Sequence, residues 1–168
     1  SAIVIGSGAI GVEFSTVWNS YGVDVTVVEM LPRLVPLEDE EVSKELKKEF
    51  EKRGIKCLVG NKVESVETTA KGVKVKVSAE GKETTLEAEQ ALVAIGFRPN
   101  SKGLGLEEVG VKINERGFVE INEKMQTSVP SIYAIGDVTG KLMLAHVGSA
   151  MGIVAAENIA GAETVTLD

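Results

Sequence analysis

Cysteine is almost missing from this 168-residue chain: Cys57 is the only one, so no disulfide can form within it. A reducing compartment is the simplest expectation, cytoplasmic in a bacterium or the mitochondrial matrix in a eukaryote. Histidine is as scarce, with His146 alone, and no metal-ligand set is read from the chain. No apolar run approaches the 18 residues of a membrane-crossing helix, and no charged-then-apolar leader precedes the first hydrophobic stretch. Positive charge is also in deficit. A net charge of −7 and a pI near 4.9 disfavour nucleic acid or an anionic membrane as partner. Any phosphate site must therefore rely on backbone N–H groups and a helix end.

What remains is ordinary globular material, 43% hydrophobic and 26% charged, enough for a folded core. Residues 2–5 (Ala-Ile-Val-Ile) read as a buried strand closed by glycine. Natural chains rarely begin flush with a buried parallel strand, so a piece of a longer protein is expected. A helix is predicted from about Ala9 to Tyr21, with Ile10, Phe14, Val17, Trp18 and Tyr21 at helical spacing and Gly22 as its stop. Val25–Val28 is a second strand ending at Glu29. A second helix is predicted over Asp39–Arg53, acidic in its first turn and basic in its last, with Val42, Leu46 and Phe50 on one face. A third strand over Ile55–Val59 completes β-α-β-α-β.

Val63, Val66, Val73, Val75 and Val77 then stand among charged residues, and 74–77 alternates with period two. This predicts an antiparallel meander of about three strands with one wet face, turning at 79–82. Ala91–Ile95 returns to a buried run, expected as a fourth parallel strand. Beyond Pro99 the chain is loop-rich, with short strands expected around Val119–Ile121 and Ile132–Ile135. A small-residue helix over about Gly148–Ala160 is apolar nearly all round and is expected to be buried. The boundary falls near Phe97–Ser101.

Two features carry chemistry. Gly6-Ser7-Gly8-Ala9-Ile10-Gly11 is a G-x-G-x-x-G pattern, weak alone but here set between a buried strand and an amphipathic helix. Such a turn brings backbone and helix N-terminus against a pyrophosphate. Glu29 ends the second strand 18 residues beyond Gly11. An acid there accepts from a ribose 2′-hydroxyl and repels a 2′-phosphate, favouring NAD, or the ADP part of FAD, over NADP. The nearest arginine is Arg33. At this point NAD and FAD remain open.

Val12-Glu13 directly after the glycines, the meander, Ala94-Ile95-Gly96-Phe97-Arg98-Pro99-Asn100, and Ile132-Tyr133-Ala134-Ile135-Gly136-Asp137 occur together and in this order. The chain thereby resembles the pyridine nucleotide–disulfide oxidoreductases along essentially its whole length. Met143-Leu144-Ala145-His146 is similar to the dihydrolipoamide dehydrogenase branch. The resemblance implies a Rossmann-type three-layer α/β domain (parallel sheet plus antiparallel β-meander) over 1–98 that binds NAD. It implies that 99–168 is a central segment completing an FAD domain. It also implies site roles. Gly6, Ser7, Gly8, Ala9, Ile10, Gly11, Val12, Glu13 and Glu29 match the NAD loop and ribose acid. Val63 matches an adenosine-side position, Gly96 a position near NAD, and Glu13 an acid beside the nicotinamide–flavin stack. Asp137 matches the FAD ribityl–phosphate aspartate, and Met143, Leu144, Ala145 and His146 a flavin-lining segment.

The family's paired redox cysteines, first FAD-binding glycine motif and C-terminal interface domain have no counterpart among these residues. No catalytic residue is therefore assigned, and His146 is not promoted to acid–base catalyst. The expected function is that of a segment of a flavin-dependent oxidoreductase, binding NAD(H) for hydride exchange with FAD and inactive by itself. The implied parent is a homodimer serving the lipoyl domains of 2-oxo acid dehydrogenase complexes. The alternative is a stand-alone domain that senses NAD(H) without catalysis; a weaker one is an NADH-dependent flavin reductase without a disulfide.

Overall fold

The structure, a computed structural model, describes residues 1–163. Two compact units divide at Gly96/Phe97. In the first, strands β1 (Ala2–Ile5), β2 (Val25–Glu29), β3 (Lys56–Val59) and β7 (Gln90–Val93) form a parallel sheet in the order β3-β2-β1-β7. Helices α1 (Ala9–Ser20) and α2 (Glu40–Lys52) connect its first three strands. Between β3 and β7 run β4 (Lys62–Thr69), β5 (Gly72–Ala79) and β6 (Lys82–Ala88), a separate antiparallel sheet of three strands with β5 in the middle.

β1 is buried on both faces, as its unbroken apolar run requires. Val4, Val25 and Val27 pack with Leu34, Phe50 and Ile55 on the helix side. Ile3, Ile5 and Val28 pack with Val75 and Val77 of the meander on the other. The meander's wet face carries cross-strand ion pairs, Lys74–Glu87 at 3.0 Å and Lys76–Glu83 at 2.7 Å. These exposed pairs contribute little each, and they keep edge strands soluble.

Helix α1 differs from its sequence reading in which side it buries, and α2 in one residue of its inward face. On α1, the inward residues are Gly11 and Ser15, with Val12 and Trp18 half-buried, whereas Ile10, Phe14, Val17 and Tyr21 are exposed. The physical reason lies at Gly11: a Cβ there would overlap the carbonyl oxygen of Gly6. The helix axis comes so close to the glycine turn that only the smallest side chains fit the contact. The large apolar residues fall on the opposite face. On α2, Phe50 is buried and Leu46 packs on the core. Val42 is exposed, and Ser43 takes the inward place with its hydroxyl on the Leu34 carbonyl. Asp39 caps the helix by accepting from the Glu41 N–H at 2.8 Å.

In the second unit the two expected short strands do not form. Among its described residues isolated bridges occur instead, Ile113 with Val119 and Gln126 with Tyr133. Side chains replace the ladders: Asn114 Oδ1 accepts from the amides of Arg116 and Phe118, and Asn122 Oδ1 from those of Lys124 and Gln126. A turn of 3₁₀ helix covers Gly136–Thr139, and α3 runs from Ala145 to Ile159, starting three residues earlier than expected. Met151, Val154 and Ala155 bury against Met125, Ile121, Tyr133 and Val147. Ile153 and Ile159 stay 61% and 67% exposed, so the helix is covered on one side rather than all round.

Candidate functional site

Three chain segments meet at the carboxyl end of the parallel sheet, where open α/β folds bind their ligands. Gly6 leaves β1 at φ +98°, and a side chain there would stand 2.5 Å from the Ala94 carbonyl oxygen beyond β7. The turn therefore needs glycine for both conformation and room. Gly8 follows at an ordinary φ of −69° as the N-cap of α1, with no side-chain cap and no atom within 4 Å of where a Cβ would be. The first amides of any α-helix have no partner inside it. Here they begin at the exposed Gly8, Ala9 and Ile10, and the positive end of the helix dipole adds to them.

Glu29 ends β2 beside this turn, only 8% exposed and without a cationic partner. Its Oε2 accepts from the Ser7 amide at 2.9 Å and the Ser7 hydroxyl at 2.8 Å, and its Oε1 accepts from the Leu31 amide at 2.8 Å. Three of roughly four acceptor positions are filled, all by neutral donors, leaving one on Oε1. Ser7 is therefore not a free phosphate donor. Its amide and hydroxyl serve Glu29, and its carbonyl accepts the Val35 amide at 3.0 Å. That last bond anchors the loop 30–38, where Val35 takes φ +39° and Leu34 is fully buried. Sequence reasoning missed this use of Ser7, because the position between two such glycines carries no pattern of its own.

Other expected site residues distribute around this centre. Glu13 is exposed on α1. Val63 lies at an irregularity in the edge strand β4, its half-buried side chain packed on the Ile3–Val75 cluster, so a ligand would meet its backbone rather than its methyl groups. The Asn61 amide just before it donates to the Glu29 carbonyl at 2.9 Å, which ties this strand start to the end of β2. Gly96 is exposed at φ +133° with open space at its Cβ position. Exposed Val93, Ile95 and Phe97 flank it.

In the second unit, Asp137 is exposed on the 3₁₀ turn, and Met143 is half-buried. Leu144 is the N-cap of α3, again without a side-chain cap, so Ala145 and His146 occupy the first helical turn, both exposed. The turn and helix meet closely, since a Cβ on Gly148 would lie 3.4 Å from the Gly136 Cα.

Residues 1–152 match the family model described as pyridine nucleotide-disulphide oxidoreductase. The chain belongs to that family. Among curated relatives, dihydrolipoyl dehydrogenase of Mycobacterium leprae is 56% identical over 167 residues, covering 99% of this chain and 36% of the relative. LpdA of Mycobacterium tuberculosis superposes with a TM-score of 0.90 at 35% identity over 99% of this chain and 36% of that one. A water-forming NADH oxidase of Lactobacillus brevis, solved bound to NADH, gives a TM-score of 0.81 at 27% identity over 98% of this chain and 37% of its own. The chain thus spans little more than a third of the length of these relatives.

Proposed function

We propose that this chain binds NAD(H) at the Gly6–Gly11 turn and Glu29, as the nucleotide-binding part of a dihydrolipoyl dehydrogenase about three times its length. The observation that carries the reading is the pairing of an uncapped helix start at Gly8 with a buried, cation-free Glu29 that retains one acceptor position. The residues fit the nucleotide. The amides from Gly8 onward would hold the pyrophosphate, and the empty space at Gly8 lets its backbone approach it. Glu29 Oε1 would accept from the adenine ribose, while its charge disfavours a 2′-phosphate. Val63 and Gly96 would contribute backbone, and Glu13 an exposed acid beside the nicotinamide.

FAD fits the second unit more sparsely. Asp137 and the exposed Leu144, Ala145 and His146 on an uncapped helix start would hold part of it. When bound, the two cofactors supply hydride transfer; this chain's residues bind, orient and select. The flavin, a redox cysteine pair, lipoyl-domain partners and dimer formation belong to the proposed whole protein. Identity of 52–56% to curated dihydrolipoyl dehydrogenases supports that activity for the whole protein.

Calorimetric titration checks the nucleotide choice: NADH should bind at least about tenfold tighter than NADPH, or about 1.4 kcal/mol, and Glu29→Ala should reduce that ratio. Equal affinity in a folded sample would overturn the proposal.

A further inference from the structure

Oε2 of the Glu29 carboxylate is held in place by one residue. Ser7 contributes both donors to Oε2, its amide at 2.9 Å and its hydroxyl at 2.8 Å, and is itself fully buried. The amide bond comes with the turn and needs no particular side chain. The hydroxyl bond exists only because residue 7 is serine. With Oε2 carrying two donors and Oε1 one from Leu31, the carboxylate cannot rotate without breaking buried bonds, each costly to leave unmade.

We infer that the Ser7 hydroxyl is a positioning residue for nucleotide selection. It saturates Oε2 of Glu29, so that the vacant acceptor position falls on Oε1 and in a fixed direction, where a ribose hydroxyl is recognised. This rests on the NAD(H) reading above. A dinucleotide with a free 2′-hydroxyl gains from a fixed acceptor. One carrying a 2′-phosphate gains nothing from it and meets the same negative charge whether or not the carboxylate is held. The hydroxyl therefore tightens binding of NADH without changing that of NADPH.

The test is a double-mutant cycle on the full 168-residue chain, comparing the Kd of NADH with that of NADPH for Ser7→Ala, Glu29→Ala and the pair. Ser7→Ala should weaken NADH about fivefold, the worth of one hydrogen bond, and leave NADPH unchanged. In the Glu29→Ala background, Ser7→Ala should leave the NADH-to-NADPH ratio where Glu29→Ala alone puts it. A serine that merely supports the turn would weaken both nucleotides alike and leave the ratio intact in Ser7→Ala; that result overturns this role. A ratio that falls in Glu29→Ala but not in Ser7→Ala removes the Ser7 role alone. If the unaltered chain and Glu29→Ala share one ratio, the nucleotide reading fails, and this role with it.

Discussion

Cys57 lies in β3 opposite Val27, its side chain half-buried against the helix-side core. Burial, with the nearby negative charge of Glu51 adding to it, pushes the thiol up to about 11, against an ordinary value of 9.0. Since the thiolate is the nucleophile, a thiol held protonated is inert near neutrality. Alkylation by iodoacetamide at pH 8 should run roughly 100-fold slower in the folded chain than for a free cysteine, and urea should restore the rate. A folded-state rate matching the free thiol would refute the burial argument. The sign for stability follows. Between pH 9.0 and about 11 the unfolded chain ionises Cys57 while the folded one does not, so stability declines as pH rises through that window. The position of Glu29 at the end of β2 was legible from the sequence. The bonds of Ser7 were not, because they depend on how the turn folds back on β2, a distance of 22 positions in the chain.

At the scale of an element, the start of α1 separates two glycines that look alike in sequence. Gly11 is a packing requirement, since any Cβ would overlap the Gly6 carbonyl, whereas Gly8 faces open space at an ordinary φ. Gly11→Ala should therefore cost about 3 kcal/mol of stability by overpacking, a fall in Tm of about 6–12 °C. Gly8→Val should keep a Tm close to that of the unaltered chain and yet lose NADH binding, because its side chain would fill the approach to the pyrophosphate. Normal NADH affinity in folded Gly8→Val would reduce the glycine pattern to a turn. Element types in the first unit followed from periodicity: four parallel strands, two helices and a three-stranded meander were readable, with ends displaced by a residue or two. The buried run expected over 91–95 is not buried, since β7 is an edge strand and Val93 and Ile95 are exposed. Which face of α1 turns inward was not readable. Ile10, Phe14, Val17 and Tyr21 make a helical stripe, and only the close approach at Gly11 assigns that stripe to the exposed side. Likewise, the short apolar runs at 119–121 and 132–135 were read as strands, because nothing in them marks that pairing is confined to isolated bridges beside turns pinned by Asn114 and Asn122.

Across the whole molecule the two units differ in how much apolar surface they cover. The first buries β1 completely between helices and meander. Among its described residues the second has one small buried cluster, with Ile135, Leu142, Leu144, Ile153 and Ile159 all exposed. It also has a groove of about 840 Å³ lined by Ile121, Met125, Leu142, Val147 and Met151, among others. Exposed apolar patches bind hydrophobic dyes or drive self-association. The same contrast separates the two cofactors. The turn, the helix start and the buried Glu29 of the proposed nucleotide site all lie within residues 6–29, whereas the proposed flavin contacts are the exposed Asp137 and the Met143–His146 stretch. The sole thiol is the inert Cys57, so no dithiol can pass electrons to a flavin from within this chain. The purified chain should therefore bind NADH, enhance the fluorescence of an apolar dye, remain colourless after incubation with FAD and gel filtration, and turn over no dihydrolipoamide. Yellow protein carrying stoichiometric FAD would mean that Asp137 and residues 143–146 form most of a flavin site without further chain; dihydrolipoamide turnover would mean that a redox centre exists that does not depend on paired cysteines.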